Sequence, residues 1–270
     1  MEEEINRLLD QYREIPPMPH VMVKALEVIK NPKSGARELG DIMSVDQAMS
    51  AKVLSLVNSA FYGFRQQITS VNKAIVILGM MRAKNIVMSL ALKPMMSGHG
   101  SRELWEHSIK CAVAAEYLAG QYRVINPDDA FVIGFMHDIG KMLMASKDPV
   151  KYSKIKYIAQ QDPNQDINAL EKSILGVNHC ELGAMISKRW SLPVVLTNCI
   201  KYHHTPWLSS LPSACGVIYL ADRLVQVNPP EVFMDEALAE KLNLKVTDPQ
   251  ALREQVLSKS AILLRELSTQ

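Results

Sequence analysis

Residues 71–93 read VNKAIVILGMMRAKNIVMSLALK, and the conformation of this apolar stretch decides the class of the fold. Alanine, leucine and methionine dominate it, and the aromatic alternation of strands is absent. It therefore reads as helix. Gly79 interrupts it, so two helices meeting near that glycine are expected. The same periodicity extends outward. HVMVKALEVIK at 20–30 has apolar residues at Val21, Val23, Leu26 and Ile29, and 36–43 and 46–60 continue the pattern. The core expected from these faces is Val53, Leu54, Leu56, Val57, Ile75, Ile77, Leu78, Ile86 and Leu90. In NSAFYGF, Asn58 and Tyr62 are expected to fix a turn while Phe61 and Phe64 pack.

Helix starts are marked further along. Asn126 precedes Pro127 and two acids, and Asn178-His179-Cys180-Glu181 has the form of a capping box. Pro193 opens PVVLTNCIKYHH, and Ser213 is placed to cap ACGVIYLADRLVQV. The chain reads as all-α, in two lobes. Gly98 and Gly100 in MMSGHGSRE separate a helical lobe over 12–97 from a bundle over 98–228. A weaker break, VNPPEV at 227–232, precedes a helical extension over 229–270. In it PQALREQVLSKSAILLREL presents Leu252, Val256, Ile262 and Leu263 for packing.

Composition narrows the class of function. Of 270 residues, 48% are apolar and 21% charged, an ordinary globular mixture. A net charge of +2 without a basic run argues against nucleic acid. Cys111, Cys180, Cys199 and Cys215 form no CxxC pair, and the start MEEEINRLLDQ is acidic, which together suggest a reducing cytoplasm. Apolar runs such as AIVILGMM stop well short of a membrane span of ~18 residues.

The seven histidines sort by their neighbours. His20, in PPMPH, and His99, in GHG, have no nearby acid and read as surface. His107 follows Glu103 by four residues, on one helix face. His137 and Asp138 lie in FMHDIGKM, an otherwise apolar stretch that also holds Lys141. His179 opens a helix, His203 and His204 end one, and Asp222 sits midway along an apolar helix where an unpaired carboxylate is costly. Each has a plain reading: a hydrogen-bonded surface pair, a helix-terminal histidine, an acid paired with Arg223. Together they are nitrogen and oxygen donors suited to divalent transition metals, which helical bundles bind in their cores.

HDIGK at 137–141 and EHS at 106–108 resemble the HD superfamily of metal-dependent phosphohydrolases. EIPPMPHVMVKALEVIKNP, LVNSAFYG and ITSVNKAIVILGMMRAKNIVMSLAL resemble the HDOD domain of bacterial signalling proteins, over about residues 12–225. HDOD domains are related to HD-GYP cyclic di-GMP phosphodiesterases, and many have lost metal ligands. Here VNHCELGAMI, CIKYHHTPW and YLADRLV resemble the ligand-bearing stretches of HD-GYP proteins. The resemblance implies a ligand set of Glu103, His107, His137, Asp138, His179, His203, His204 and Asp222, around two ions, with Glu103 joining only for a third. Thr205, Pro206 and Trp207 stand where HD-GYP proteins continue into a glutamate and the Gly-x-Gly-Tyr-Pro element.

Two functions follow as expectations. One is a signal-transduction module that binds metal and acts on a signalling partner in trans. The other is a metallophosphohydrolase of a phosphodiester such as a cyclic dinucleotide, with Asp138 bridging metals and Lys141 meeting a phosphate or leaving oxygen; Lys141 reads equally as a solvated lysine. Oxygen chemistry at a di-iron site, as in some distant HD relatives, is a minor variant. The sequence does not choose among iron, manganese, zinc and nickel.

Overall fold

The computed structural model describes residues 15–31, 34–44, 47–59, 63–96, 101–162, 165–227, 229, 233–244 and 246–268. All regular structure among these residues is helical. The chain divides into two compact units, one of Met18–Met95 with Gln250–Gln270 and one of Met96–Pro249 with Met1–Pro17.

The first unit holds α1 (His20–Lys30), α2 (Ala36–Ser44), α3 (Gln47–Val57), α4 (Val71–Leu78) and α5 (Met80–Leu92). Helices α4 and α5 meet at Gly79, whose φ of 83° is strained for any residue with a side chain. Ser70 caps α4 by accepting from the Lys73 N–H. Along α4 the buried residues are Val71, Ala74, Ile75 and Leu78, spaced as one helical face. Val76 and Ile77 fall on the opposite face, so Ile77, expected in the core, is 46% exposed. Val53, Leu56, Val57, Ile75, Leu78 and Ile86 are buried, whereas Leu54 and Leu90 are half-buried. Leu56 is 1% exposed. Leu56→Ala is expected to cost about 2–5 kcal/mol and Ile77→Ala less than about 0.5 kcal/mol in urea unfolding.

Asn58 does fix a turn. Its amide donates to the Leu54 and Ile68 carbonyls and its Oδ1 accepts from the Ile68 N–H at 2.7 Å. Phe64, expected to pack, is 40% exposed; Phe61, Tyr62 and His99 lie outside the described residues. His20 is exposed, as its proline-rich surroundings imply. The last helix, α15 (Pro249–Ser268) in the numbering that follows, buries Leu252, Val256, Ser260 and Leu263. Ile262, assigned to that face from the sequence, is turned away, and Ser260 takes the register position.

The second unit holds α6 (Ser101–Tyr122), α7 (Pro127–Met136), α8 (Ile139–Lys147), α9 (Pro149–Gln161), α10 (Ile167–Leu175), α11 (His179–Arg189), α12 (Val194–Tyr202), α13 (Pro212–Val225) and α14 (Glu236–Leu242). Asn126 caps α7, and Asn178 with Glu181 closes the capping box of α11. Ser213 is not a cap: α13 begins at Pro212, whose fixed φ suits a first helical position. The Trp190 indole donates to the Pro16 carbonyl at 3.0 Å.

Helices α8 and α11 come together backbone to backbone. A Cβ on Gly140 would lie 2.0 Å from the His179 carbonyl oxygen and 2.8 Å from the Gly183 nitrogen. A Cβ on Gly183 would lie 3.4 Å from the Gly140 nitrogen and would meet Ile200 of α12 at 2.6 Å. This glycine contact sets the start of α11 against the start of α8, where the acidic and basic side chains of the unit gather.

Candidate metal centre

His137 ends α7 and Asp138 is the next residue, at the start of α8. The corner between two short helices turns both side chains inward. His107 reaches in from α6, His179 from the first turn of α11, His203 and His204 from the end of α12, and Asp222 from α13. Seven of the eight predicted metal-binding side chains are thus brought together.

Asp138 is the centre of the arrangement. Its Oδ2 lies 3.3 Å from His137 Nε2 and 3.6 Å from His107 Nε2. Its Oδ1 lies 3.3 Å from His179 Nε2 and 3.7 Å from His203 Nε2. Two donor groups therefore flank one carboxylate. On the Oδ2 side, Asp222 Oδ1 stands 3.1 Å from His107 Nε2 and 3.8 Å from His137 Nε2. On the Oδ1 side, His179 Nε2 is 3.2 Å from both His203 Nε2 and His204 Nε2.

The far nitrogens settle the tautomers. His137 Nδ1 faces the Gly134 carbonyl at 2.7 Å, and His203 Nδ1 faces the Ile200 carbonyl at 2.8 Å. A carbonyl only accepts, so both Nδ1 atoms carry hydrogen. The Nε2 atoms are then the ones turned into the site, where a proton or a metal can occupy their lone pairs. Yet His107 Nε2 and His137 Nε2 are 3.3 Å apart. Converging lone pairs and carboxylates in a buried space require protons or a metal cation between them. Among the described residues Asp138 Oδ1 accepts no hydrogen bond.

The titration of the site follows from this crowding. Burial pushes the Asp138 carboxyl up, but the charges of His137 and Lys141 outweigh it and hold it well below the usual range. Burial likewise opposes the ionised Asp222, and His107 draws it down. Burial would neutralise His137, and the Asp138 carboxylate reverses that, raising the ring well above its ordinary value. His203 is driven well below, by burial and then by the charges of His204 and its other neighbours. His204 falls to about 4 for the same reasons, burial first and His179 next.

Lys141 lies one turn along α8, with its Nζ 2.7 Å from Asp138 Oδ2 and its side chain 22% exposed. It is an internal counter-charge rather than a freely solvated lysine. Glu103 lies apart: its side chain is 72% exposed and ion-paired to Lys156 of α9.

The sequence reading missed Glu171. This fully buried carboxylate accepts from both the backbone N–H and the ring Nδ1–H of His179, at 2.8 and 2.6 Å. It orients the ring as carboxylates orient metal-bound histidines. The signal was its place among Ile167, Leu170, Ile174 and Leu175, on the core-facing side of α10. Glu171→Gln keeps the shape but removes the charge, and is expected to weaken metal binding about 10–100-fold, measured by competition against a chelating dye.

The family model of the HDOD domain matches residues 15–206. The chain belongs to the HDOD family. The match takes in every HDOD-region donor above except Asp222. A Treponema pallidum (strain Nichols) protein described only as uncharacterized is 26% identical over 202 residues, 73% of this chain. The chain spans 39% of that relative's length. Among solved structures, an HDOD domain protein of unknown function from Geobacter sulfurreducens has a TM-score of 0.78 at 20% identity, covering 98% of this chain and all of its own. A protein from Marinobacter aquaeolei VT8, named as a candidate signal transduction protein, has a TM-score of 0.81 at 22% identity, over 95% of this chain and 60% of its own. One from Shewanella amazonensis SB2B, named as a candidate phosphohydrolase, has a TM-score of 0.73 at 24% identity, over 97% and 98% of the two chains. These likenesses show the HDOD fold. No helix among the described residues is long and apolar enough to cross a membrane.

Proposed function

We propose that this HDOD protein is a signal-transduction module that binds two divalent transition-metal ions, with Asp138 between them. The observation that carries the reading is the set of four histidine Nε2 atoms gathered on both sides of that carboxylate. His107, His137 and Asp222 would hold one ion, and His179, His203 and His204 the other. Glu103 would join only for a third, and would first have to leave Lys156. In this reading metal occupancy sets the state of the helix ends that carry the ligands, and a partner signalling protein reads that state. Protein purified without chelators should carry about two ions per chain by mass spectrometry. A chain that is isolated empty and takes up neither manganese nor zinc on titration would overturn the proposal.

A second reading, hydrolysis of a phosphodiester such as a cyclic dinucleotide, is favoured by the position of Lys141 at the partly open edge of the site. Paired ions would activate water and clamp phosphoryl oxygens. Lys141 would neutralise a bound phosphate. Metal-loaded protein should then cleave a chromogenic phosphodiester or a cyclic dinucleotide, and Lys141→Ala should lower that rate at least tenfold. Absence of turnover with manganese, iron, zinc and nickel alike would leave the signalling module alone.

A further inference from the structure

Neither reading uses Cys180, although it lies at the second donor group. The residue follows His179 on the first turn of α11 and is 4% exposed. Its Sγ stands 3.5 Å from His179 Nε2 and 3.8 Å from the near edge of the His203 ring, at Nδ1, the nitrogen that donates to Ile200, and its thiol meets Asn168 Oδ1 at 3.4 Å. The donor atoms of His179, Cys180, His203 and His204 all fall within 4.8 Å of one another.

These spacings have a physical meaning. Zinc holds imidazole nitrogen at about 2.0–2.1 Å and thiolate sulfur at about 2.3 Å in a tetrahedron. Two nitrogens of such a tetrahedron are about 3.4 Å apart, and a nitrogen and a sulfur about 3.6 Å. The nitrogens here are 3.2 Å apart, in the pairs His179–His203 and His179–His204. The sulfur is 3.5 Å from the nitrogen of His179. The three separations to His179 Nε2 are thus near those an ion would impose, and the Glu171 carboxylate fixes that ring among the other donors.

We propose that Cys180, as thiolate, is an inner ligand of this second ion and makes its site selective for zinc. The proposal rests on the metal-binding reading above. On binding, the sulfur–zinc bond forms, the S–H bond breaks, and the proton leaves to water. The hydrogen bond to Asn168 Oδ1 is lost, and a half-turn of the Asn168 amide lets its N–H group donate to the thiolate instead. The two donor groups then differ in kind. His107, His137, Asp222 and Asp138 Oδ2 offer nitrogen and oxygen only, which suit manganese or iron; a thiolate added to three imidazoles favours zinc.

X-ray absorption at the zinc edge tests this on the full chain. In the zinc-loaded protein a sulfur shell at about 2.3 Å is expected, and it should vanish in Cys180→Ser. The same variant should bind zinc at least tenfold more weakly while its manganese affinity stays within threefold. Cobalt loading supplies a second readout, a sulfur-to-cobalt charge-transfer band present in the parent and absent from Cys180→Ser and Cys180→Ala. Zinc bound with nitrogen and oxygen neighbours alone would overturn the ligand assignment and leave the metal reading intact. A protein that binds no metal at all would overturn both.

Discussion

If the centre holds metal as proposed, Asp138→Ala is expected to remove it and to lower stability by about 3–5 kcal/mol, a fall in melting temperature of roughly 10 °C. The reason is the position of the carboxylate between the two donor groups. It is 1% exposed, and its two oxygens face four imidazoles and one ammonium group within 3.7 Å. Without it His137 and Lys141 keep their places in a buried space with their counter-charge gone. Metal analysis and calorimetry on the same preparation read the two effects separately. Unchanged metal content would show that Asp138 is not a ligand. Metal lost with no change in melting temperature would mean that the ions serve function alone, and would favour the hydrolytic reading.

Gly140→Ala is expected to be nearly as damaging, though it touches no donor atom. The added methyl would stand 2.0 Å from the His179 carbonyl oxygen, and that oxygen belongs to backbone, so no rotamer change relieves the overlap. Helices α8 and α11 must separate. The cost is about 3 kcal/mol, at the upper end for overpacking a core. The separation also draws His179 Nε2 from Asp138 Oδ1, now 3.3 Å away, so metal affinity should fall at least tenfold. Urea unfolding and metal titration check both parts. A stable variant with full affinity would show that the two helices are not held in register by this contact.

Most of the helical architecture is legible in the sequence because its signals are local. Gly79 between two apolar runs, Asn126 before a proline and the Asn178–Glu181 box each act within four residues, and each stands where the pattern puts it. Ile77 and Ile262 were misplaced because each lies in a short run of consecutive apolar residues, AIVIL at 74–78 and AILL at 261–264, that offers more than one candidate face, and only tertiary packing chooses. At the candidate site, chemistry made the histidines and aspartates conspicuous. Glu171 escaped notice because its partner is eight residues away across a loop, so neither helical nor strand spacing links the two. The ion pair that occupies Glu103 joins residues 53 apart, and no local pattern announces it.

Four helix ends converge where Asp138 sits. Helices α7 and α12 arrive by their C-termini, at His137 and His203, and α8 and α11 by their N-termini, at Ile139 and His179. A C-terminus carries about half a negative charge and an N-terminus about half a positive one. Two of each nearly cancel, so the backbone lends the centre little net potential of either sign. The charge of the centre therefore rests on side chains whose ionisation depends on protonation, which makes it a property that one substitution, or one proton, can retune.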